Sequence, residues 1–484
     1  MATNLDPHHL VALMCYTFKG TQDGSPRRVD PSLHSLQGGI VDHHETNVRT
    51  FPILDALAHI SVSRKESQVV AIGLQLNSQK QEIRLTVAEN QSVTHGLVNH
   101  LTKIWRKLQV LSVEYKKNRG GRWDKSELRS PQMPKKYSVK KQMKRIDKWS
   151  TRLRRFMKEV LKRRVFLYLQ GFELSLYKAV VALLLAIEVV SKLHDNPKNK
   201  LMESEWELVY SQSILANKHV KIVLADRKEF GCEILAQELA DHLSQDPFQL
   251  RRALEKLTSL SRHIETLFGF AHSPHLRPAL QYHLFTSTVP KMVHTVKLPP
   301  SPQKWKSFLE VACDKHYDFQ ETQAVELAES FGSRKWVCPV HCECGLIQYL
   351  YTKQRNKWDR VPPFSYIGVS KLSCSACRIW IETFNEQSEW RFYTRCSHGK
   401  WYWPWGIPRT EGPLVGVMAR KVLDEYLAHL DSHKLLRSNS DSSGASSDGA
   451  SHGLSDDEEK DAEAVGAAIV QDRGGGGLGF FDDK

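Results

Sequence analysis

The chain has 484 residues, a net charge of +14 and 41% hydrophobic residues, a composition that allows a buried core and excludes a mainly disordered or collagen-like chain. Its longest apolar run, residues 179–187, has nine residues, whereas a helix needs about 20 to cross a bilayer. The apolar run near the N-terminus lacks the basic flank of a secretory signal. We therefore expect an intracellular protein with no membrane partner, and the sequence does not distinguish nucleus from cytoplasm.

Residues 1–135 show little regular patterning, and the sequence predicts one element there, a strand at 69–76. Residues 136–297 are predicted to form a basic α-helical region, because apolar side chains recur every three or four residues. The predicted helices of this region span 139–160, 174–193, 214–223, 233–243 and 257–270.

Most of the positive charge lies in one segment. Residues 103–164 hold 23 Lys or Arg and 5 Asp or Glu, a local charge of +18. Aromatic residues are interleaved with the basic ones, and such a surface can bind the phosphates of a nucleic acid. A solvated helix face or a nuclear import signal explains the same charges equally well.

A proline-containing stretch at 296–303 marks the predicted start of a different domain, residues 298–436. The predicted helices there are 305–313, 322–330, 343–354, 375–384 and 414–429, and the predicted strands are 335–340, 365–369 and 391–394. This alternation predicts a three-layer α/β/α domain. The Ser/Gly-rich and acidic residues 437–484 are predicted to be a disordered tail. The fold class expected is therefore multidomain, an α-helical N-terminal region followed by an α/β domain.

Six of the nine cysteines fall between Cys338 and Cys396. An intracellular chain keeps its thiols reduced, and clustered reduced thiols indicate a metal site rather than disulfides. Two short segments of this window carry ligand-type residues, namely His341-x-Glu343 and Cys374-x-x-Cys377. Each segment lies where a predicted strand gives way to a predicted helix.

The N-terminus of a helix stabilises thiolates, the form of cysteine that binds a metal. His341, Cys374 and Cys377 can then supply three ligands to a tetrahedral Zn²⁺ and leave the fourth position open, as in catalytic zinc sites. Glu343 would lie near the metal without binding it, where it can carry the proton of a zinc-activated water. The alternative is a closed structural site made by Cys338, Cys342, Cys374 and Cys377.

These motifs resemble those of the zinc-dependent cytidine-deaminase-like superfamily. Three sequence motifs are similar to those of a nucleic acid/nucleotide deaminase family expanded in fungi and named from an Orientia protein. The motifs are 340–343 (VHCE), 366–377 (YIGVSKLSCSAC) and 397–400 (SHGK). The resemblance covers about residues 300–430. Ser373 departs from the superfamily pattern, which usually has proline before the first cysteine, although a serine can cap the helix instead.

The resemblance implies that His341, Cys374 and Cys377 bind Zn²⁺ and that Glu343 is the proton shuttle. The implied enzyme removes an exocyclic amine by hydrolysis from cytosine or adenine, in a free nucleotide or in a nucleic acid. No separate cofactor-binding motif is present.

Three further residues are candidates for the substrate side of the site, namely His398, Trp401 and Trp403. The histidine can instead satisfy a loop carbonyl. The two tryptophans belong to an aromatic run that can instead pack over the core, and its members are Trp401, Tyr402, Trp403 and Trp405. The competing functional class is a non-catalytic protein in which zinc holds the fold and the chain binds nucleic acid or another protein. The sequence identifies no particular protein partner.

Overall fold

The computed structural model describes residues 5–19, 44–62, 68–117, 149–158, 171–194, 208–216, 218, 248, 250–274, 276–313, 321–332, 334–395, 397–408 and 412–440. The chain divides into two compact units. One contains Met1–Ala58, Val69–Thr94 and His283–Lys484, and the other contains His59–Gln68 and His95–Tyr282. Among the described residues, no helix is both long enough and apolar enough to span a membrane.

Strands of the first unit form two small sheets. In chain order they are β1 (Val70–Asn77), β2 (Glu82–Glu89), β3 (His283–Thr288), β4 (Val293–Lys297), β5 (Lys335–Pro339) and β6 (Gly368–Val369). The larger sheet has the order β3-β2-β1-β6 and is mixed, because β2 pairs with β3 in parallel while β1 pairs antiparallel with both its neighbours. The smaller sheet is the antiparallel pair of β4 and β5.

Helices account for most of the remaining described residues. They are α1 (Pro7–Phe18), α2 (His44–Ser61), α3 (His95–Lys117), α4 (Gly171–His194), α5 (Leu250–His272), α6 (Pro302–Ala312), α7 (Glu321–Phe331), α8 (Cys342–Tyr351), α9 (Ser375–Gln387) and α10 (Gly412–Ser440). Two of them begin with the same signal, since Asp6 caps α1 and Ser301 caps α6, each followed by proline. Proline suits this position because it lacks the N–H that the first turn cannot pair.

Helix α8 is held against the larger sheet, with contacts to β1 and β2. A Cβ at Gly73 of β1 would lie 2.9 Å from Cδ1 of Leu350, so the helix packs closely over this position. Helix α9 contacts both α8 and α10. The first turns of α8 and α9 are therefore fixed by packing along the length of each helix.

The second unit has its own core. Its buried side chains come from residues 153–157, from α4, from Ala216 and from α5. In the same unit, Trp105 of α3 packs against Phe270 of α5 with ring centroids 5.9 Å apart. The helices predicted at 174–193 and 257–270 are confirmed as α4 and α5.

Several predicted elements lie wholly or partly outside the described residues. These are the helix at 233–243, most of the helix at 139–160, parts of the helix at 214–223 and of the basic segment 103–164, and residues 441–484 of the predicted tail. The first four residues of that tail, 437–440, are the end of α10. The three-layer arrangement and the predicted domain boundaries stay predictions.

The strand predicted at 69–76 is confirmed as β1, but the structure adds a finding that the sequence did not suggest. β1 pairs with β6 at Ala71–Val369 and Ile72–Gly368, so the N-terminal region shares a sheet with the α/β segment. β2, β3 and β4 were not predicted either. β2 pairs locally with β1, whereas the pairing of β3 with β2 and of β4 with β5 depends on contacts between segments far apart in the chain.

The strand predicted at 391–394 is wrong, and that at 365–369 is shortened to its last two residues. Tyr366 and Tyr393 form an isolated parallel bridge instead. The ladder does not continue because the side chain of Asn385 binds both the N–H and the carbonyl of Phe392, each at 2.8 Å. The N–H and carbonyl of Phe392 are therefore not available to pair with a neighbouring strand.

Candidate metal centre

His341 and Cys374 occupy equivalent places in the fold, each as the N-cap of a helix. His341 precedes α8 and Cys374 precedes α9, both with extended backbone, at ψ 148° and ψ 165° respectively. The carbonyl of each residue accepts the first bond of its helix, at 2.9 Å in both cases. Cys377 lies on the first turn of α9. The two helices therefore present their positively polarised ends to the same place.

The ligand atoms of three side chains meet at this place. Nδ1 of His341 lies 3.5 Å from Sγ of Cys374 and 3.2 Å from Sγ of Cys377. All three atoms lie within 4.8 Å of one another, and they are the one group of His, Cys, Asp and Glu in the described part of the chain that could hold a metal ion. One imidazole and two thiolates form a ligand set that suits Zn²⁺.

The surroundings of the two thiols of this group disfavour a thiolate that lacks a compensating charge. Both side chains are buried, and burial raises the pKa of Cys374 and of Cys377 well above its usual range. Desolvation penalises a thiolate unless a positive charge compensates for it. These thiols therefore stay protonated in the metal-free chain, and a bound metal ion would displace their protons.

Glu343 is also buried, with 5% of its surface exposed, on the first turn of α8. The thiol of Cys342 donates a hydrogen bond of 3.4 Å to its Oε2. A carboxylate buried two residues from a candidate metal ligand is placed to exchange protons within the site.

The remaining cysteines of the window do not join the three-residue group. Burial raises the pKa of Cys338 to about 11 and that of Cys344 to about 12. The Cys344 thiol is directed towards the carbonyl of Cys377 at 4.0 Å, while Cys342 faces Glu343. The structure thus does not bring together the four cysteines of the alternative closed site. Cys396 lies outside the described residues.

His398 lies near the site on the segment that follows α9. Its N–H bonds to the carbonyl of Ser373, and its Nδ1 accepts the N–H of Lys400 at 3.1 Å. Burial lowers its pKa to about 4, although the charge of Glu343 acts in the opposite direction. His398 is therefore neutral at physiological pH, with its proton on Nε2.

The aromatic run after His398 divides into buried and exposed side chains. Trp401 is 1% exposed, and Trp403 packs edge-on against Phe331 and Trp336. Tyr402 is 45% exposed, and its ring meets that of His398 edge-on at 5.4 Å. A substrate-side role for Trp401 and Trp403 stays a prediction, and the ring of this run that faces solvent is Tyr402.

Two contacts of the site were not predicted from the sequence. The indole N–H of Trp405 donates a hydrogen bond of 3.4 Å to Sγ of Cys377. Cys15 of α1 lies near enough to Cys374 for their charges to interact, and burial with this interaction raises the Cys15 pKa. Trp405 belongs to the aromatic run, which was the only sequence signal for its contact with Cys377. No feature of the sequence indicated that Cys15 lies near Cys374.

The comparisons agree with the motifs. Residues 340–409 match the family described as OTT_1508-like deaminase. Comparison with curated proteins and with solved structures gives no match. The matched span contains the three donors of the metal group and Glu343. The chain therefore carries, at residues 340–409, a domain of the OTT_1508-like deaminase family within the deaminase-like superfamily, as its motifs predicted.

Proposed function

We propose that this protein is a zinc-dependent deaminase that removes an exocyclic amine from a cytosine or adenine base by hydrolysis. The observation that carries the proposal is the meeting of His341, Cys374 and Cys377 at two helix N-termini, with Glu343 buried beside them. Family membership of this segment supports the reaction type. The basic segment 103–164 favours a polynucleotide over a free nucleotide as substrate.

Zinc fits the donors present. When bound, it supplies the Lewis acidity that generates a nucleophile from water at neutral pH. His341, Cys374 and Cys377 would hold it, and three protein ligands leave room for substrate or water, as catalytic rather than structural sites do.

Glu343 would move the protons of the reaction. It takes a proton from the attacking water and delivers it to the ring nitrogen, and it then moves the proton of the newly added hydroxyl group to the departing amine. The C–O bond forms first; the C–N bond then breaks, ammonia leaves, and the ring carbon keeps the oxygen as a carbonyl. The burial of Glu343 keeps bulk water from competing for these protons.

His398 would contribute as a neutral hydrogen-bond donor. Its Nδ1 accepts a backbone N–H, so the proton of the neutral ring is on Nε2. Since its pKa is lowered to about 4, this role does not change between about pH 5 and pH 9. Tyr402, edge-on to His398 and partly exposed, provides a ring on which a base can stack.

The decisive experiment compares Glu343→Gln with the parent. Glutamine keeps the size of the side chain but cannot carry a proton, so we expect normal zinc content and a fall in ammonia release of about 10²- to 10⁴-fold. Assays should cover cytosine- and adenine-containing nucleosides, nucleotides, single-stranded DNA and RNA.

The matched control is Glu382→Gln, which removes a carboxylate from α9 that pairs with Arg378. It should keep the parent's activity, although it should lower stability slightly. Activity in Glu343→Gln equal to that of the parent would refute the proton-transfer role. A zinc-loaded parent inactive on every substrate class would favour the non-catalytic alternative.

A further inference from the structure

The hydrogen bond between Trp405 and Cys377 reaches the sulfur atom of a metal ligand. Sγ of Cys377 accepts the indole N–H at 3.4 Å and lies 3.2 Å from Nδ1 of His341. Both Trp405 and Cys377 are 0% exposed. Water therefore does not compete for the N–H or for the sulfur, and hydrogen bonds are electrostatically stronger in such surroundings.

The loop that carries Trp405 is held in place by the two residues that follow the indole. The N–H of Gly406 donates to the carbonyl of Pro339 at 2.9 Å, at the end of β5. A Cβ at Gly406 would lie 2.6 Å from the carbonyl oxygen of Cys338, so only glycine allows this close approach. The indole is thus anchored to the strand that leads into α8.

The N-terminal helix α1 adds a second anchor. The N–H of Ile407 donates to Nε2 of His8 at 3.3 Å, and Nδ1 of His8 lies 2.8 Å from Oδ1 of Asp6. With Nε2 accepting, the proton of a neutral His8 is on Nδ1 and is donated to Asp6. A continuous set of hydrogen bonds therefore joins the cap of α1 to the Trp405 loop.

An indole hydrogen bond of this kind is not a necessary result of burying a tryptophan. Trp305 and Trp380 are both 0% exposed, yet the structure gives their Nε1 atoms no hydrogen-bond partner within the described residues. The indole N–H of Trp405, by contrast, is directed at one atom of the site.

We propose that Trp405 is a positioning residue for the metal centre, whose N–H orients the Cys377 thiolate and weakens its electron donation to the metal. The inference rests on the proposed function, because it requires that Cys377 bind a metal. A donor hydrogen bond stabilises the sulfur lone pair, so the ligand gives less charge to the metal and leaves it a stronger Lewis acid. Partners of metal ligands typically change metal affinity or activity by about 10- to 100-fold when they are removed.

The test uses the full chain loaded with Co²⁺, whose thiolate-to-metal charge-transfer band reports the energy of the sulfur lone pair. Trp405→Phe removes the N–H, and we expect the band to move to lower energy. We also expect zinc affinity, measured by competition with a chelator, to fall by about 10-fold or more, because loss of the N–H that orients the thiolate outweighs the stronger electron donation. Trp305→Phe is the control, since it makes the same chemical change at a buried tryptophan whose N–H is not bonded, and it should leave the band unchanged.

A smaller ring can also disturb folding, so a second variant separates the two effects. Replacement of Trp405 by benzothienylalanine keeps the shape of the indole and lacks the N–H. The same band shift in this isosteric variant supports the proposal, whereas a parent-like band and affinity would overturn it and leave the metal centre intact. A parent that binds neither Co²⁺ nor Zn²⁺ would overturn both this inference and the proposed function.

Discussion

Asp55 of α2 is a buried carboxyl group whose ionisation the structure penalises. Tyr366 donates to its Oδ2 at 2.6 Å, the N–H of Val369 donates to its Oδ1 at 2.9 Å, and Nε of Arg395 lies 3.6 Å away. Burial outweighs these contacts and raises the pKa from 3.8 to about 6. The folded chain therefore binds this proton more tightly than the unfolded chain does.

The sign of the pH dependence follows from this difference. Because the folded pKa is the higher one, the contribution to stability is complete below pH 3.8 and is lost as the pH rises through about 6. The full shift corresponds to about 3 kcal/mol, of which about 1.4 kcal/mol is present at about pH 5. Asp55→Asn removes the titration. The unfolding free energy of the parent should thus rise by about 1.4 kcal/mol relative to the variant between about pH 8 and pH 5.

Urea unfolding of parent and variant at the two pH values measures this difference directly. Asp424→Asn, at an exposed position of α10, is the control for the same chemical change at a surface carboxylate. If Arg395 instead dominated, the pKa of Asp55 would lie below its usual value. The parent would then lose stability relative to Asp55→Asn on acidification, and that result would refute the reasoning.

Further predictions concern packing, metal and charge. Gly368→Ala should lower the free energy of unfolding, measured with urea, by about 3 kcal/mol, because its Cβ would lie 2.3 Å from a backbone carbon of α2. Gly416 has open space around it, so Gly416→Ala should instead stabilise α10 by up to about 1 kcal/mol. Cys377→Ser should lose zinc by elemental analysis, whereas Cys338→Ser should retain it; the reverse pattern would favour a different ligand set. Charge reversal of the basic residues in 140–145, which lie outside the described residues, should weaken nucleic-acid binding and its salt dependence; unchanged binding would indicate a solvated face or an import signal.

The metal group was predictable because its signals are local. His341 and Glu343 lie on one helix start, and Cys374 and Cys377 lie on another, so short spacing and helix-forming patterns were enough to predict both. The helices α4 to α9 were predictable for the same reason, since each is encoded by the periodicity of its own residues.

The larger sheet was not predictable in this way. Its pairing of β1 with β6 brings together segments about 300 residues apart in the chain, and no residue of 70–77 signals a partner at 368–369. The sequence also did not indicate which aromatic side chains of the run are buried. Sequence shows four aromatic residues close together, whereas only packing decides that Trp401 and Trp405 are enclosed and Tyr402 faces outwards.

The pairing of β1 with β6 has a consequence for synthesis on the ribosome. The hydrogen bond from the N–H of Val70 to Oγ of Ser370 joins residues 300 positions apart. At roughly 5 to 20 residues per second, about 15 to 60 seconds pass between the emergence of the two partners. During that interval β1 can pair with β2 but presents its other edge unpaired, the kind of edge on which chains aggregate. Production of the protein should therefore respond to temperature, translation rate and chaperone supply during this interval.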